Sequence, residues 1–214
     1  MLVGKRMTRN PLTLQPDVPI HDALAIMRRE KVRWVPVVDK KGKLAGVVTH
    51  NDLMQASPSP ATSLNMWEVS YLLSKVTLQE VMKKDVITAT EDMPLEDAAQ
   101  LMVDRQISCL PVMRGDALVG LITESDVFKV FLELLSAREK GVRLTVFAPY
   151  FKGSLAKIAS AITAKGGLIL ALNEFQGHDS TTWGCHLKVS EISKDDLVSV
   201  VKPLVVEIED VREI

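Results

Sequence analysis

One short phrase occurs twice in this chain. Gly46-Val-Val-Thr49-His-Asn-Asp52 returns 74 residues later as Gly120-Leu-Ile-Thr123-Glu-Ser-Asp126. A repeat at fixed spacing constrains the fold strongly, because both copies must build the same supersecondary unit and then bury their apolar faces. The repeat extends upstream: Met7, Pro19 and Pro36 recur as Met82, Pro94 and Pro111, at a shift of 75. One residue is therefore lost between the prolines and the glycines. The loss falls where Asp39-Lys-Lys-Gly42-Lys shortens to Arg114-Gly115-Asp116, as expected of a variable hairpin loop.

Within each copy the hydrophobic period changes in the same order. Pro19 and Pro94 are placed to open helices at the first helical position. Ile20, Ala23, Leu24 and Met27 follow at i, i+3, i+4 and i+7, and Leu95, Ala98, Ala99 and Met102 form the matching stripe. Two apolar runs then flank a turn, Trp34 to Val38 with Leu44 to Val48, and Leu110 to Met113 with Leu118 to Ile122, which predicts a hairpin. A last helix opens at each Thr. The unit is β-α-β-β-α, roughly 50 residues, too small to bury a comfortable core alone. Two copies packed sheet to sheet resolve that. Pro36 and Pro111 lie inside strands and cannot donate to a ladder, which predicts an edge strand or a strand start.

The motif T-x-x-D admits two roles. As a capping box, Thr accepts from the N3 amide while Asp returns to the Thr amide. As a ligand site, Asp takes a ribose diol, and Thr with the helix N-terminus lies near phosphate. A carboxylate matches the two hydroxyls of a cis-diol, and such charge-assisted bonds are worth about 1.5–3 kcal/mol each. The duplicated glycine and apolar pair before each copy favour the second role.

Net charge is −1, so no basic surface points to nucleic acid or anionic membrane. No apolar run approaches membrane-spanning length, and Met1 to Met7 carries no apolar leader; cytoplasm is the expected compartment. Cys109 and Cys185 sit in apolar strands and are expected as buried thiols. The four histidines (His21, His50, His178, His186) show no metal-ligand spacing, and no nucleophile, Walker loop or G-x-G-x-x-G stands out. The expectation is a protein that is not an enzyme, with no metal and no catalytic cofactor. Lys83-Lys84 and Lys5-Arg6 flank the first strands, where they are placed to meet phosphates, although solvated charge is the commoner fate of such pairs.

The doubled h-P-V…G-h-h-T-x-x-D pattern resembles a pair of CBS domains, a Bateman module, over residues 1 to about 140. The resemblance implies a pseudo-dimer of repeats that binds adenosine-containing nucleotides (AMP, ADP, ATP, S-adenosylmethionine or NAD) as regulatory ligands. Each cleft takes Thr and Asp from one repeat and its base-facing wall from the other. Carried over, one cleft has Thr123, Ser125 and Asp126 facing Leu12, Val32, Arg33 and Trp34. The other has Thr49, Asn51 and Asp52 facing Ile87, Ile107, Ser108 and Cys109. Trp34 either stacks on a base or fills its cleft. The repeats are assigned to residues 1–56 and 76–140. Between them, 57–75 holds a Ser/Pro linker and a connecting helix with Trp67, Tyr71 and Leu72 on one face. That face and the repeat helices suggest a homodimer, with a further protein target unknown.

Residues 141–214 read as strand, helix, hairpin, helix, strand, the β-α-β-β-α-β order of a ferredoxin-like fold. Gly153-Ser-Leu-Ala-Lys-Ile158 followed by Gly166-Gly167 resembles an ACT domain. Tyr150 and Lys152 stand where many ligand-binding members carry Asp or Asn and Pro, so a pairing interface and an amino-acid effector site are equal readings. The whole is an α/β (α+β) chain whose layout resembles the acetoin-utilisation AcuB-type proteins. The implied role is a nucleotide sensor, and the rival is an assembly module with empty clefts.

Overall fold

The computed structural model of the chain describes residues 1–56 and 74–214. The Ser/Pro linker lies outside the described residues, as does the connecting helix expected over Leu64 to Lys75, apart from Ser74 and Lys75, which form a turn. The chain divides into two compact units, Met1–Val127 and Phe128–Ile214.

The first unit runs β1 (Thr8–Arg9), α1 (Ile20–Arg29), β2 (Trp34–Val38), β3 (Leu44–Thr49) and α2 (His50–Gln55). Then come α3 (Leu78–Val81), β4 (Ala89–Thr90), α4 (Leu95–Arg105), β5 (Cys109–Arg114) and β6 (Ala117–Thr123). The helix α5 (Glu124–Leu134) crosses the boundary between the units. α1 buries Ile20, Ala23, Leu24 and Met27, the stripe its spacing dictates, against Val35, Val37, Val48, Leu53 and Leu78. Pro19 and Pro94 sit at N-cap rather than at the first helical position, with extended ψ of 145° and 140°. α4 ends on Gln106 in the left-handed region (φ 53°), and Lys31 adopts the same conformation (φ 54°) after α1. A side chain there costs roughly 1–2 kcal/mol, and its recurrence at a shift of 75 carries the repeat into the backbone.

The two repeats exchange their entry segments. β1, at the start of the chain, pairs antiparallel with β6 of the second repeat, in a sheet ordered β1-β6-β5-β4. In the mirrored position Lys83 bridges Val47 on β3, and Leu14 bridges Val37 on β2. Pro111 lies near the start of β5, and β4 pairs only with Val112 and Met113, beyond it, so that side of the strand is unpaired at the proline.

Glycine is required where the exchanged segments cross. A Cβ on Gly46 meets the Lys83 carbonyl oxygen at 2.8 Å, which is backbone. A Cβ on Gly120 meets first the flexible Met7 side chain, with the Thr8 oxygen at 3.1 Å. Gly46→Ala is expected to destabilise by about 1–3 kcal/mol and Gly120→Ala by less, measured as a shift in urea midpoint. The reverse ranking contradicts the backbone crossing at Lys83.

The second unit holds β7 (Val142–Pro149), α6 (Ser154–Ala164), β8 (Leu168–Gln176), β9 (Thr182–Ser190), α7 (Lys194–Val201) and β10 (Glu207–Glu213). Its sheet is ordered β10-β7-β9-β8 with every pair antiparallel, the ferredoxin-like arrangement. Val142, Leu144, Val146 and Ala148 alternate with Cys185, Leu187 and Val189 toward Ile158, Ile162, Leu197 and Val201. α5 stops at Leu134, because Ser136 turns into the left-handed region (φ 46°) and its hydroxyl donates to the Leu170 carbonyl at 3.0 Å. β10 starts at Glu207, after a 3₁₀ turn at Lys202–Leu204 that includes Pro203.

Candidate functional site

The site is built on the turn from β3 into α2. Thr49 caps α2: its hydroxyl accepts from the Asp52 amide at 3.0 Å, and Asp52 Oδ2 accepts from the Thr49 amide at 2.9 Å and from its hydroxyl at 2.7 Å. The box consumes Oδ2. Oδ1 lies 3.8 Å from Lys83 Nζ, so Lys83, a solvated charge with its side chain 69% exposed, also faces the motif. The second copy repeats the geometry, with Asp126 Oδ2 accepting from the Thr123 amide at 3.1 Å and from its hydroxyl at 2.7 Å.

Beside Thr49 lies a cavity of about 140 Å³, walled across the repeats by Ile87, Ile107, Ser108 and Cys109. Asp52 stands at its margin through Lys83, which does line it. Asn51 is exposed on α2 and is not among the lining residues. Burial pushes the Cys109 thiol up to about 12, with Asp52 and Glu124 adding to the rise and Lys83 opposing it. Cys185 is likewise pushed up to about 12 by burial. Neither is a thiolate nucleophile near neutral pH.

Trp34 requires a correction. Expected with Asp126, it lines the cavity beside Thr49, and its indole N–H donates to Ser108 Oγ at 2.9 Å. Hairpin register does not decide this, since Trp34 pairs with Thr49 as Cys109 pairs with Thr123; the indole turns to the Thr49 side through its bond to Ser108. Arg33 does turn to the other motif, donating from Nη2 to Ser125 Oγ at 3.2 Å, with its guanidinium 4.3 Å from the Trp34 ring centroid. Leu12 and Val32 pack on the first repeat's core, and Thr123, Ser125 and Asp126 form the turn into α5. The two motifs are thus linked through one Arg33–Trp34 pair. Lys83 and Gln106 are lining residues that motif matching misses. Lys83 was legible as the counterpart of Thr8 in the 75-residue shift, whereas the left-handed Gln106 leaves no sequence signal.

Among the described residues, no group of three or more His, Cys, Asp or Glu is placed to hold a metal, and no helix is long and apolar enough to cross a membrane.

Comparison with known proteins supports the repeat. An inosine-5'-monophosphate dehydrogenase from Aquifex aeolicus is 30% identical over 175 residues, 80% of this chain, and the match spans only 33% of that enzyme's length. A Vibrio cholerae protein assigned to acetoin utilization (AcuB) superposes with a TM-score of 0.53 at 36% identity, covering 64% of this chain and 95% of that one. The CBS domain pair of protein MJ0100, solved with 5'-methylthioadenosine and S-adenosyl-L-methionine, gives 0.52 at 28% identity, covering 65% and 98%. The CBS domain family model matches residues 3–59 and 78–133, each ending beyond its T-x-x-D turn. The chain belongs to the CBS domain family and carries the domain in tandem.

Proposed function

We propose that the tandem repeats form a non-catalytic sensor that binds an adenosine-bearing small molecule at the Thr49–Asp52 cleft, with Thr123–Asp126 as the second position. The observation that carries this is Asp52, whose Oδ2 is fixed by its own cap while Oδ1 faces Lys83 at the cleft margin. A carboxylate so held is pre-oriented for a diol, and the neighbouring cation suits a phosphate or a carboxylate tail. Ile87, Ile107 and Cys109 offer an apolar wall for the base. The adenosine ligands of the MJ0100 pair support the class. Inosine-5'-monophosphate dehydrogenase activity is not proposed, because the match spans a third of that enzyme.

The cavity of about 140 Å³ is smaller than the roughly 300 Å³ at which ligand sites begin. Trp34, latched to Ser108, forms one of its walls. In this reading a base enters as the indole leaves that hydrogen bond. Ser108→Ala is expected to tighten adenosine-nucleotide binding about 2- to 10-fold, the worth of one net hydrogen bond, read by titration calorimetry. Weaker binding instead assigns Ser108 to the ligand. A permanently closed cleft is the second reading, favoured by the same latch, and makes the protein an assembly module.

The primary test is a thermal melt with AMP, ADP, ATP, S-adenosylmethionine and NAD. A ligand at 100 times its Kd adds about 2.7 kcal/mol, and no shift with any of them supports the assembly reading. We also infer that two chains associate, since α5 exposes Phe128, Phe131, Leu132 and Leu134. Sedimentation at micromolar concentration is expected to give twice the 23.6 kDa chain mass. A link to acetoin utilization, and the C-terminal unit as an ACT-like receiver of the signal, belong to the same proposal, supported by the Vibrio cholerae relative and the ferredoxin-like order.

A further inference from the structure

The C-terminal sheet has a second face, turned away from its helices, and the charge on it does not balance. Strand register sets Lys188 on β9 directly opposite Arg143 on β7, and Arg143 directly opposite Arg212 on β10. Three cations thus form one row across three neighbouring strands. Like charges placed opposite one another are destabilising. The next row holds His186, Thr145 and Asp210.

Asp210 is the carboxylate within the cluster, and it is already engaged: Arg212 donates to it from Nε at 2.9 Å and also from Nη2. That grip, first among its causes, lowers the Asp210 pKa. Arg143 Nε lies 3.8 Å from Asp210 Oδ2, too long for a hydrogen bond, and is buried with no hydrogen-bond partner. Lys188 is only 2% exposed, and its ammonium donates to a neutral acceptor, the Ser136 carbonyl, at 3.0 Å. A buried cation such as Lys188 is costly unless it is paired, whereas Arg143, its side chain 40% exposed, has one buried donor without an acceptor. Both groups line one cavity of about 350 Å³, together with His186 and the apolar Leu135, Ala137 and Ile214. His186 faces Thr145 Oγ1 through Nδ1 at 3.2 Å. Its pKa is lowered, by burial first and then by Arg143, with Lys188 also lowering it and Asp210 opposing, so the ring is neutral at pH 7.

We propose that this cavity is a binding site for a small aliphatic carboxylate, its head between Arg143 and Lys188 and its short carbon body against Leu135, Ala137 and Ile214. A planar carboxylate fits the Arg143 fork, supplies the acceptor that Nε lacks and neutralises the Lys188 charge. The cavity has ample room for an acid of a few carbons, and the apolar wall distinguishes it from inorganic phosphate. The site lies wholly within the C-terminal unit and does not depend on the nucleotide cleft.

The test is an NMR titration of the full chain with sodium butyrate, with inorganic phosphate in a parallel arm, both at fixed ionic strength. Butyrate is expected to give saturable shifts at His186 and along β7 and β9, and to raise the His186 titration midpoint, because an anion replaces the repulsion of two cations. Lys188→Met is expected to weaken binding at least about tenfold. Arg143→Gln, checked for fold by circular dichroism, is expected to do the same and covers the case in which Lys188→Met does not fold. Asp52→Ala should leave the butyrate response unchanged, which separates failure here from failure of the nucleotide reading. Saturation by phosphate alone overturns the carboxylate assignment. Linear, non-saturating shifts with both anions, or saturation retained in Arg143→Gln, overturn the site.

Discussion

Asp52→Ala is expected to weaken adenosine-nucleotide binding at its own cleft by about 2–4 kcal/mol, between the worth of one charge-assisted bond and that of two, since Oδ2 is already engaged by the cap. That is roughly 30- to 1,000-fold in Kd. The same change also opens the α2 capping box, so affinity and stability must be measured apart. Thr49→Ala separates them: it removes the hydroxyl that accepts from the Asp52 amide and leaves the carboxylate in place. The cap loss alone costs about 0.5–2 kcal/mol of stability. If Asp52 acts only as a cap, the two variants lose stability together and bind nucleotide equally at a temperature where both are folded. If Asp52 holds a diol, calorimetry at that temperature shows the deficit in Asp52→Ala. Asp126→Ala probes the second motif in the same way, and equal losses in both variants contradict any preference for the Thr49 cleft.

What the sequence made legible, and what it hid, divides along local and non-local physics. The 74- and 75-residue shifts specify the repeated elements, since period and turn chemistry are local properties of a few neighbouring residues. α1 buries the residues its stripe names and α4 all but the half-buried Ala99, and β7 to β10 follow their alternation. Trp34 was expected on the Thr123 side, whereas its indole bonds to Ser108 beside Thr49, a side-chain orientation that strand patterning does not carry. The exchange of β1 and Lys83 between repeats was hidden because strand partners are chosen by the whole sheet. Gly46 and Gly120 announced a close approach without naming what approaches. The cation row on the C-terminal sheet is invisible in sequence, since Arg143, Lys188 and Arg212 are far apart in the chain and meet only through register.

Leu53→Ala is expected to be among the most damaging single changes in the first unit, at about 2–5 kcal/mol. α2 has six residues, too few to hold helical structure unaided. Its N-terminus is fixed by the Thr49–Asp52 box, and Leu53 is its one buried residue, fully enclosed by the cluster of Ile20, Val35, Val48 and Leu78. Truncating it leaves a cavity at the point that holds α2 against the sheet, and the box then caps a helix with no anchor. Total stability of a domain is commonly 5–15 kcal/mol, so the loss is a large share and is read directly as a drop in urea midpoint. Met54, the next residue, is 44% exposed and supplies the control. Met54→Ala is expected to change stability by no more than about 0.5 kcal/mol. Nucleotide affinity should fall in Leu53→Ala and persist in Met54→Ala, because Asp52 is aimed by the helix that Leu53 secures. Equal midpoints for the two variants would show that α2 is held by its cap alone.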